Sequence, residues 1–208
     1  ARVEYAALDV HEAWSVPGDE IDVAPDVASR LAEKTHLFAG DERLHRREHA
    51  VEVELPLIRV AWPAARVLPV ETPVNDSAVA IGESVARLSE QLGLRAVFLA
   101  SSDLTHYGPE YDFTPAGVGP GGLAWAREND RRILSIVQAM RAESVVPEAK
   151  ANQNACGGGA IAAMLSACRY FGASRAEVLW HTNSYEMLAS VAPQPPVDAV
   201  GYAAVVVK

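Results

Sequence analysis

Apolar positions along the chain change their spacing several times, and each change predicts a switch between strand and helix. Residues 3–10 and 66–70 are short apolar runs of the kind expected of strands. Pro25 opens a segment with apolar side chains at helical spacing, and Asp76 stands as an N-cap before a second such segment, which Gly93 closes. The pattern therefore predicts an α/β fold, in which helices flank a central mixed or mainly parallel β-sheet.

In residues 95–100, a single arginine, Arg95, is followed by a continuous apolar run. Such a run predicts a central strand that is covered on both faces. Ligands of open α/β sheets bind at the carboxyl ends of the strands. That end here carries Ser101, Ser102 and Asp103, and His106 follows three residues later. We therefore expect a functional cleft at this position.

The second half of the chain continues the alternation after a loop. Residues 108–122 are rich in glycine and proline, and the loop that they predict is long enough to act as a lid or a binding loop. No repeat and no linker divides the sequence, so we predict a single α/β domain over residues 1–208. The remaining predicted elements are helices at 123–140 and 160–171, with a turn around Pro147 between them, and strands at 177–180 and 199–206.

Charge and composition narrow the range of functions. Half of the 208 residues are apolar, and the formal net charge is −9. An acidic chain is a poor candidate for binding nucleic acid or an anionic membrane surface, and no apolar run approaches the length of a membrane span. Two cysteines are too few for a disulfide framework, which favours free thiols and a cytoplasmic location. The sequence leaves a homo-oligomer open.

Three segments carry candidate chemistry. At the predicted strand end, Asp103 would hold an imidazole in one tautomer or satisfy backbone donors, and His106 would exchange protons with a substrate. Cys156 precedes three glycines and a predicted helix, where it would be a nucleophile, a soft metal ligand or a small core residue. The weaker candidates for lining the cleft are Tyr107, His181 and Tyr185, two of which follow a predicted strand.

His45-Arg46-Arg47-Glu48-His49 matches the His-x-x-Glu-His pattern of inverted zinc peptidases. On a helix, the two imidazoles would bind zinc and Glu48 would act as the general base. Chance matches to so short a pattern are common, and a solvated helix face is the alternative interpretation. On this pattern alone we favour the solvated face.

Four motifs follow one another along the chain: Glu48-His49-Ala50-Val51-Glu52-Val53-Glu54-Leu55-Pro56, the Ser-Ser-Asp-x-x-His-Tyr-Gly of residues 101–108, Asn154-Ala155-Cys156-Gly157 and Val200-Gly201-Tyr202-Ala203-Ala204. They resemble the motifs of the Memo family, also known as AmmeMemoRadiSam system protein B. The resemblance extends over essentially the whole chain, and it implies a fold similar to that of the class III extradiol ring-cleavage dioxygenases.

The resemblance implies a mononuclear metal site with two histidines and, in Memo proteins, a cysteine where the dioxygenases carry a glutamate. Carried over to this chain, His49 is the second metal-binding histidine, Cys156 is the cysteine ligand, His106 is the acid/base and Asp103 is its companion carboxylate. The family's first metal-binding histidine lies in an N-terminal segment ahead of the strand that opens this sequence. We therefore expect that segment of the family fold to be missing from these 208 residues.

Such a donor set suits Fe(II) and oxygen activation, and its thiolate also favours copper, with which Memo proteins are associated. The resemblance thus implies a dioxygenase-like oxidoreductase that uses O2 on a small aromatic or amine-bearing substrate. Iron is the expected cofactor and copper the alternative. A second hypothesis is a non-catalytic adaptor, because Memo-like proteins in animals are associated with signalling partners. The zinc peptidase of His45, Glu48 and His49 is the third.

Overall fold

A computed structural model of the chain describes residues 4–46, 49–189, 191–192 and 195–208. Within them, helices pack against three small sheets, and the predicted α/β class is confirmed. The helices are α1 Pro25–Lys34, α2 Glu42–His45, α3 Leu55–Ala61, α4 Ala78–Gln91, α5 Pro120–Gln138, α6 Ala142–Asn152, α7 Gly158–Tyr170 and α8 Ser184–Ala189. The strands are β1 Ala6–Leu8, β2 Ala13–Val16, β3 Asp19–Asp22, β4 Phe38–Gly40, β5 Val70–Glu71, β6 His106–Tyr107, β7 Ala176–Asn183 and β8 Ala199–Val207.

The first sheet has the order β4-β1-β5 and is mixed, since β1 runs parallel to β4 and antiparallel to β5. All three residues of β1 are buried. Strand β1 therefore lies at the centre of one hydrophobic core, where Leu8 packs with Leu31 of α1 and Ile81 of α4. A separate hairpin is formed by β2 and β3.

The other three-stranded sheet has the order β6-β8-β7 and is antiparallel throughout. Strand β8 lies in the middle, and β6 pairs with its first residues, His106 opposite Val200 and Tyr107 opposite Ala199. The second core lies between this sheet and helices α5, α6 and α7. The pairing of β6 with β8 fixes the position of the segment that carries His106.

The prediction of a central strand at residues 95–100 is wrong. Within the described residues, this stretch belongs to no sheet, and the side chains of Val97 and Leu99 are 64% and 49% exposed. Phe98 instead stacks on Phe171, with ring centroids 5.9 Å apart. An apolar run satisfies only one requirement of a central strand, because a strand also needs hydrogen-bonded neighbours and a cover on each face.

Two smaller expectations also change. Pro147 lies inside α6 rather than at a turn, because buried Val145, Val146 and Ala149 anchor that helix on the core. The turn before α4 is stabilised by the side chain of Asn75, which accepts a hydrogen bond from the Ser77 amide, rather than by Asp76. No helix within the described residues has both the length and the apolar character to cross a membrane.

Helices α4 and α7 approach each other closely at Gly82. A Cβ atom at this position would overlap the carbonyl oxygen of Ala163 on α7. Backbone-to-backbone contact of this kind allows no relief by rotation of a side chain, so α4 and α7 can pack at this distance only with glycine at position 82.

We predict that Gly82→Ala lowers the free energy of unfolding by about 1–3 kcal/mol, because overpacking moves two helices apart. The matched control is Gly121→Ala, at a helical position on α5 where an added Cβ meets nothing within 4 Å. That substitution should be neutral or stabilising by up to about 1 kcal/mol. Urea denaturation measures both variants, and equal losses of stability would contradict the close approach.

Candidate active site

Three side chains from two distant segments converge beside β6. Each of Asp103, His106 and Cys156 offers one atom that could bind a metal ion, and these three atoms lie within 4.8 Å of one another. Asp103 Oδ2 is hydrogen-bonded to His106 Nε2 at 3.2 Å, and both side chains are partly buried. The thiol of Cys156 is exposed. The structure therefore brings together three of the four residues predicted as metal-binding or catalytic.

Backbone hydrogen bonds to β8 hold the segment with Asp103 and His106. The Leu104 amide donates to the Gly201 carbonyl at 2.9 Å, and the Gly201 amide donates to the Thr105 carbonyl at 3.0 Å. A buried carboxylate of α5 completes the anchoring, since Asp130 Oδ1 accepts from the Thr105 amide at 2.9 Å. The segment that follows the expected strand end is therefore tied to the edge of a sheet.

A second set of hydrogen bonds, which we call the clasp, joins this segment to the turn before α7. The Cys156 amide donates to the Asp103 carbonyl at 3.2 Å, and the Gly157 amide donates to Ser102 Oγ at 2.9 Å. Ser102 Oγ in turn donates to the Asp103 carbonyl at 2.7 Å. A Cβ at Gly157 would come within van der Waals overlap of the Ser101 carbonyl oxygen, so only glycine allows the turn to approach so closely.

Two tyrosines beside the site were missed by the sequence prediction. The ring of Tyr111 lies 5.0 Å from that of His106, centroid to centroid. Burial raises the pKa of Tyr202, and the negative charge of Asp103 raises it further. The pKa of Tyr111 is also raised, first by burial and then by neighbouring acidic groups. Both phenols therefore stay protonated at neutral pH. Tyr111 lies in a loop with no local signal, while Tyr202 belongs to one of the family motifs.

Among the described residues, neither Arg46 nor His49 belongs to the helix that a zinc peptidase would need. Helix α2 ends at His45, whose ring is 3% exposed and hydrogen-bonded through Nε2 to the Ala7 carbonyl at 3.1 Å. His49 is exposed and outside any helix, and Glu48 falls outside the described residues. The helical arrangement is thus wrong, because His45 is turned into the core. The role of His49 as a metal ligand stays a prediction.

The three residues predicted to bind substrate occupy different environments. Tyr107 is fully buried, so it shapes the fold instead of facing an open cleft. His181 is hydrogen-bonded through Nε2 to Asp130 Oδ2 at 2.9 Å, beneath the sheet. Tyr185 lines a cleft of about 310 Å³ together with Arg127 and residues of the α5 N-terminus. None of these three side chains is hydrogen-bonded to the Asp103–His106 pair in the described part of the chain.

The loop that follows β6 is anchored by aromatic packing. The hydroxyl of Tyr107 donates to the Gly117 carbonyl at 2.5 Å and accepts from the Ala116 amide at 3.2 Å. The same ring packs against Phe113 and Trp125, with centroids 6.4 and 5.8 Å away. This anchoring sets the position of the loop that carries Tyr111 beside His106.

Comparison with known proteins decides the family. The model of the family described as Memo-like protein matches residues 3–206. The chain belongs to the Memo family. Its relatives include MEMO1 family proteins of Pyrococcus furiosus, 29% identical over 204 residues, and of Methanosarcina acetivorans, 32% identical over 201 residues. The matches cover 94% and 95% of this chain and 68% of each relative. The family predicted from the four motifs is therefore confirmed.

The donor types of this Memo site fit a transition metal. A thiolate, an imidazole and a carboxylate are ligands of iron, copper and zinc, whereas a site for calcium or magnesium would be built from oxygen alone. The exposed Cys156 thiol is within reach of an ion from solvent, and it lies directly before α7, whose N-terminal amides favour a negative charge. The arrangement is thus suited to holding a metal next to a histidine that is already oriented by a carboxylate.

We predict that Ser102→Ala in this Memo protein lowers the free energy of unfolding by about 1 kcal/mol, because the clasp loses the side-chain oxygen that bonds the Gly157 amide. Ser101→Ala is the matched control, since the hydroxyl of Ser101 makes no hydrogen bond to other described residues. Its effect should stay within about 0.5 kcal/mol. Equilibrium denaturation of both variants tests this, and an equal response of the two serines would argue against the clasp.

Proposed function

We propose that the cluster of Asp103, His106 and Cys156 is the catalytic centre of a metal-dependent oxidoreductase. In this proposal it uses O2 on a small aromatic or amine-bearing substrate, with non-haem iron as the metal and copper as the alternative. The single observation that carries the proposal is the convergence of carboxylate, imidazole and thiol donors within 4.8 Å. The resemblance to the class III extradiol dioxygenases supplies the reaction type.

Cys156 would hold the metal through its thiolate, and His49 remains the predicted second ligand. The turn before α7 supports an anionic sulfur, because the amides of the helix N-terminus carry partial positive charge. When bound, the metal would supply a Lewis acid and a redox centre for O2. The rest of the chemistry falls to the side chains around it.

His106 would move the proton of the substrate. Its Nε2 is engaged by Asp103, which leaves Nδ1 as the ring nitrogen that can meet a substrate hydroxyl or amine. A carboxylate partner stabilises the imidazolium that forms when the ring accepts that proton. The protonated phenols of Tyr111 and Tyr202 would donate hydrogen bonds to oxygen atoms of the substrate.

A second candidate function, a binding protein without turnover, is favoured by large apolar side chains on the surface. Leu179 and Trp180 of β7 are exposed, as are Val97 and Leu99. Exposed apolar groups often mark contact surfaces for other proteins. A binding protein would need neither a metal nor a proton acceptor, so the two experiments that follow decide between the candidates.

Metal loading tests the ligand assignment. After anaerobic incubation with Fe(II) and desalting, we expect about one iron per chain, and its loss in Cys156→Ala, because the thiolate is the anchoring ligand. Cys168→Ala is the matched control, since that thiol packs mid-helix against Met164. His106→Ala should retain the iron. Elemental analysis that finds no bound iron in the unsubstituted protein would overturn the proposal.

The proton-transfer role can be read with 4-nitrocatechol, whose absorption spectrum reports its ionisation. Iron-loaded protein should bind this probe as its dianion at neutral pH, where the free probe is largely the monoanion, because His106 accepts the second proton. His106→Ala should bind it less deprotonated, while His36→Ala, a substitution outside the site, should behave like the unsubstituted protein. If His106→Ala ionised the probe equally well, the proton would have another acceptor.

A further inference from the structure

A buried carboxylate–imidazole pair lies directly behind the proposed catalytic segment. Asp130 on α5 is 2% exposed, and its Oδ2 is 2.9 Å from Nε2 of His181 on β7. The side chain of His181 is itself largely buried. Burying a carboxylate is costly unless its oxygens are hydrogen-bonded and its charge is balanced. Both oxygens are hydrogen-bonded here, Oδ2 to His181 and Oδ1 to the Thr105 amide, from which it accepts at 2.9 Å.

Thr105, which lies between Asp103 and His106, is held by three hydrogen bonds. Its amide donates to Asp130, its hydroxyl oxygen accepts from Asn129 Nδ2 at 3.1 Å, and its carbonyl accepts from the Gly201 amide at 3.0 Å. A residue held on all three sides cannot change its backbone direction without breaking buried hydrogen bonds.

The carboxylate of Asp130 also lies close against the backbone of β8. An added Cβ at Gly201 of β8 would overlap the Asp130 carboxylate, so this side chain presses against the backbone of the strand that pairs with β6. One carboxylate therefore contacts three structural units: β7 through His181, β8 at Gly201, and the catalytic segment through Thr105.

We infer that Asp130 and His181 are positioning residues that hold Asp103 and His106 at their working distance from Cys156. This inference rests on the proposed function. Asp130 holds the Thr105 amide, and Thr105 in turn fixes the backbone at Asp103. The Asp103 carbonyl then accepts a hydrogen bond from the Cys156 amide at 3.2 Å. Because this positioning depends on the hydrogen bonds of Asp130 and not on its charge, Asp130→Asn should preserve most of it.

The chain offers a matched control in Asp9. This carboxylate is also fully buried and also pairs with a histidine, His11 Nδ1, at 2.6 Å. It lies after β1 in the other three-stranded sheet, and among the residues that the structure describes its oxygens accept hydrogen bonds only from His11 and Trp14. Asp9→Ala therefore also removes a buried carboxylate that pairs with a histidine, but it does so beside the other three-stranded sheet.

The experiment compares Asp130→Ala, Asp130→Asn and Asp9→Ala, all in a Cys168→Ala background, at a temperature where each variant is folded. The first readout is the rate at which iodoacetamide alkylates Cys156, which needs no metal. The second is the affinity for Co(II) and its thiolate-to-cobalt absorption band. We expect Asp130→Ala to shift the alkylation rate several-fold and to weaken Co(II) binding about tenfold, in the range seen when groups behind metal ligands are removed.

Asp130→Asn should recover most of both readouts, and Asp9→Ala should leave both unchanged although it lowers stability. The inference is overturned if Asp130→Ala and Asp9→Ala behave alike, or if Asp130→Asn is as impaired as Asp130→Ala. Failure of the unsubstituted protein to bind Co(II) through Cys156 would instead count against the proposed function. The alkylation rates would then still decide whether Asp130 positions the site.

Discussion

The hydrogen bonds of the clasp are the constraint on which the candidate site depends. Asp103 and Cys156 lie far apart in the sequence, yet the Cys156 amide donates a hydrogen bond to the Asp103 carbonyl. Only backbone atoms and Ser102 take part, and Gly157 is required because any side chain there would overlap the Ser101 carbonyl. The thiol and the Asp103–His106 pair can approach each other only while this contact holds.

Behind the clasp lies a layer of buried polar side chains, which is an uncommon way to fill the space between a helix and a sheet. Asn129 donates to Thr105 and to the Asn152 carbonyl, while Asn154 donates to the Asn129 carbonyl and to Glu148. An apolar core would cost less desolvation, but it would leave these segments free to slide. Directional bonds hold the loop ends at a defined distance, as a site that aligns several groups requires.

Sequence patterns predicted four of the helices and the strands β7 and β8, and they failed at residues 95–100. The helical segments predicted after Pro25 and Asp76 and around residues 123–140 and 160–171 appear in the structure within a few residues, because a helix is stabilised by bonds within itself and by one apolar face. The apolar run at 95–100 was misread, because a strand depends on neighbours that its own sequence does not encode. Asp103 and His106 were expected at the end of that strand, whereas hydrogen bonds to Gly201 of β8 hold their segment, and their catalytic role stays a prediction.

The amino-acid sequence alone determined the family and the α/β class, and it named Asp103, His106 and Cys156 as candidates that the structure brings together, because the motifs fix residue types and their order. Tertiary structure alone decided that His45 turns into the core, that Tyr107 is buried, that Tyr111 lies beside His106, and that Tyr202 lies near Asp103. It also placed His181 on Asp130 behind Thr105. The physical reason is that a residue type states which interactions a side chain can make, whereas the packing of distant segments decides which partner it meets.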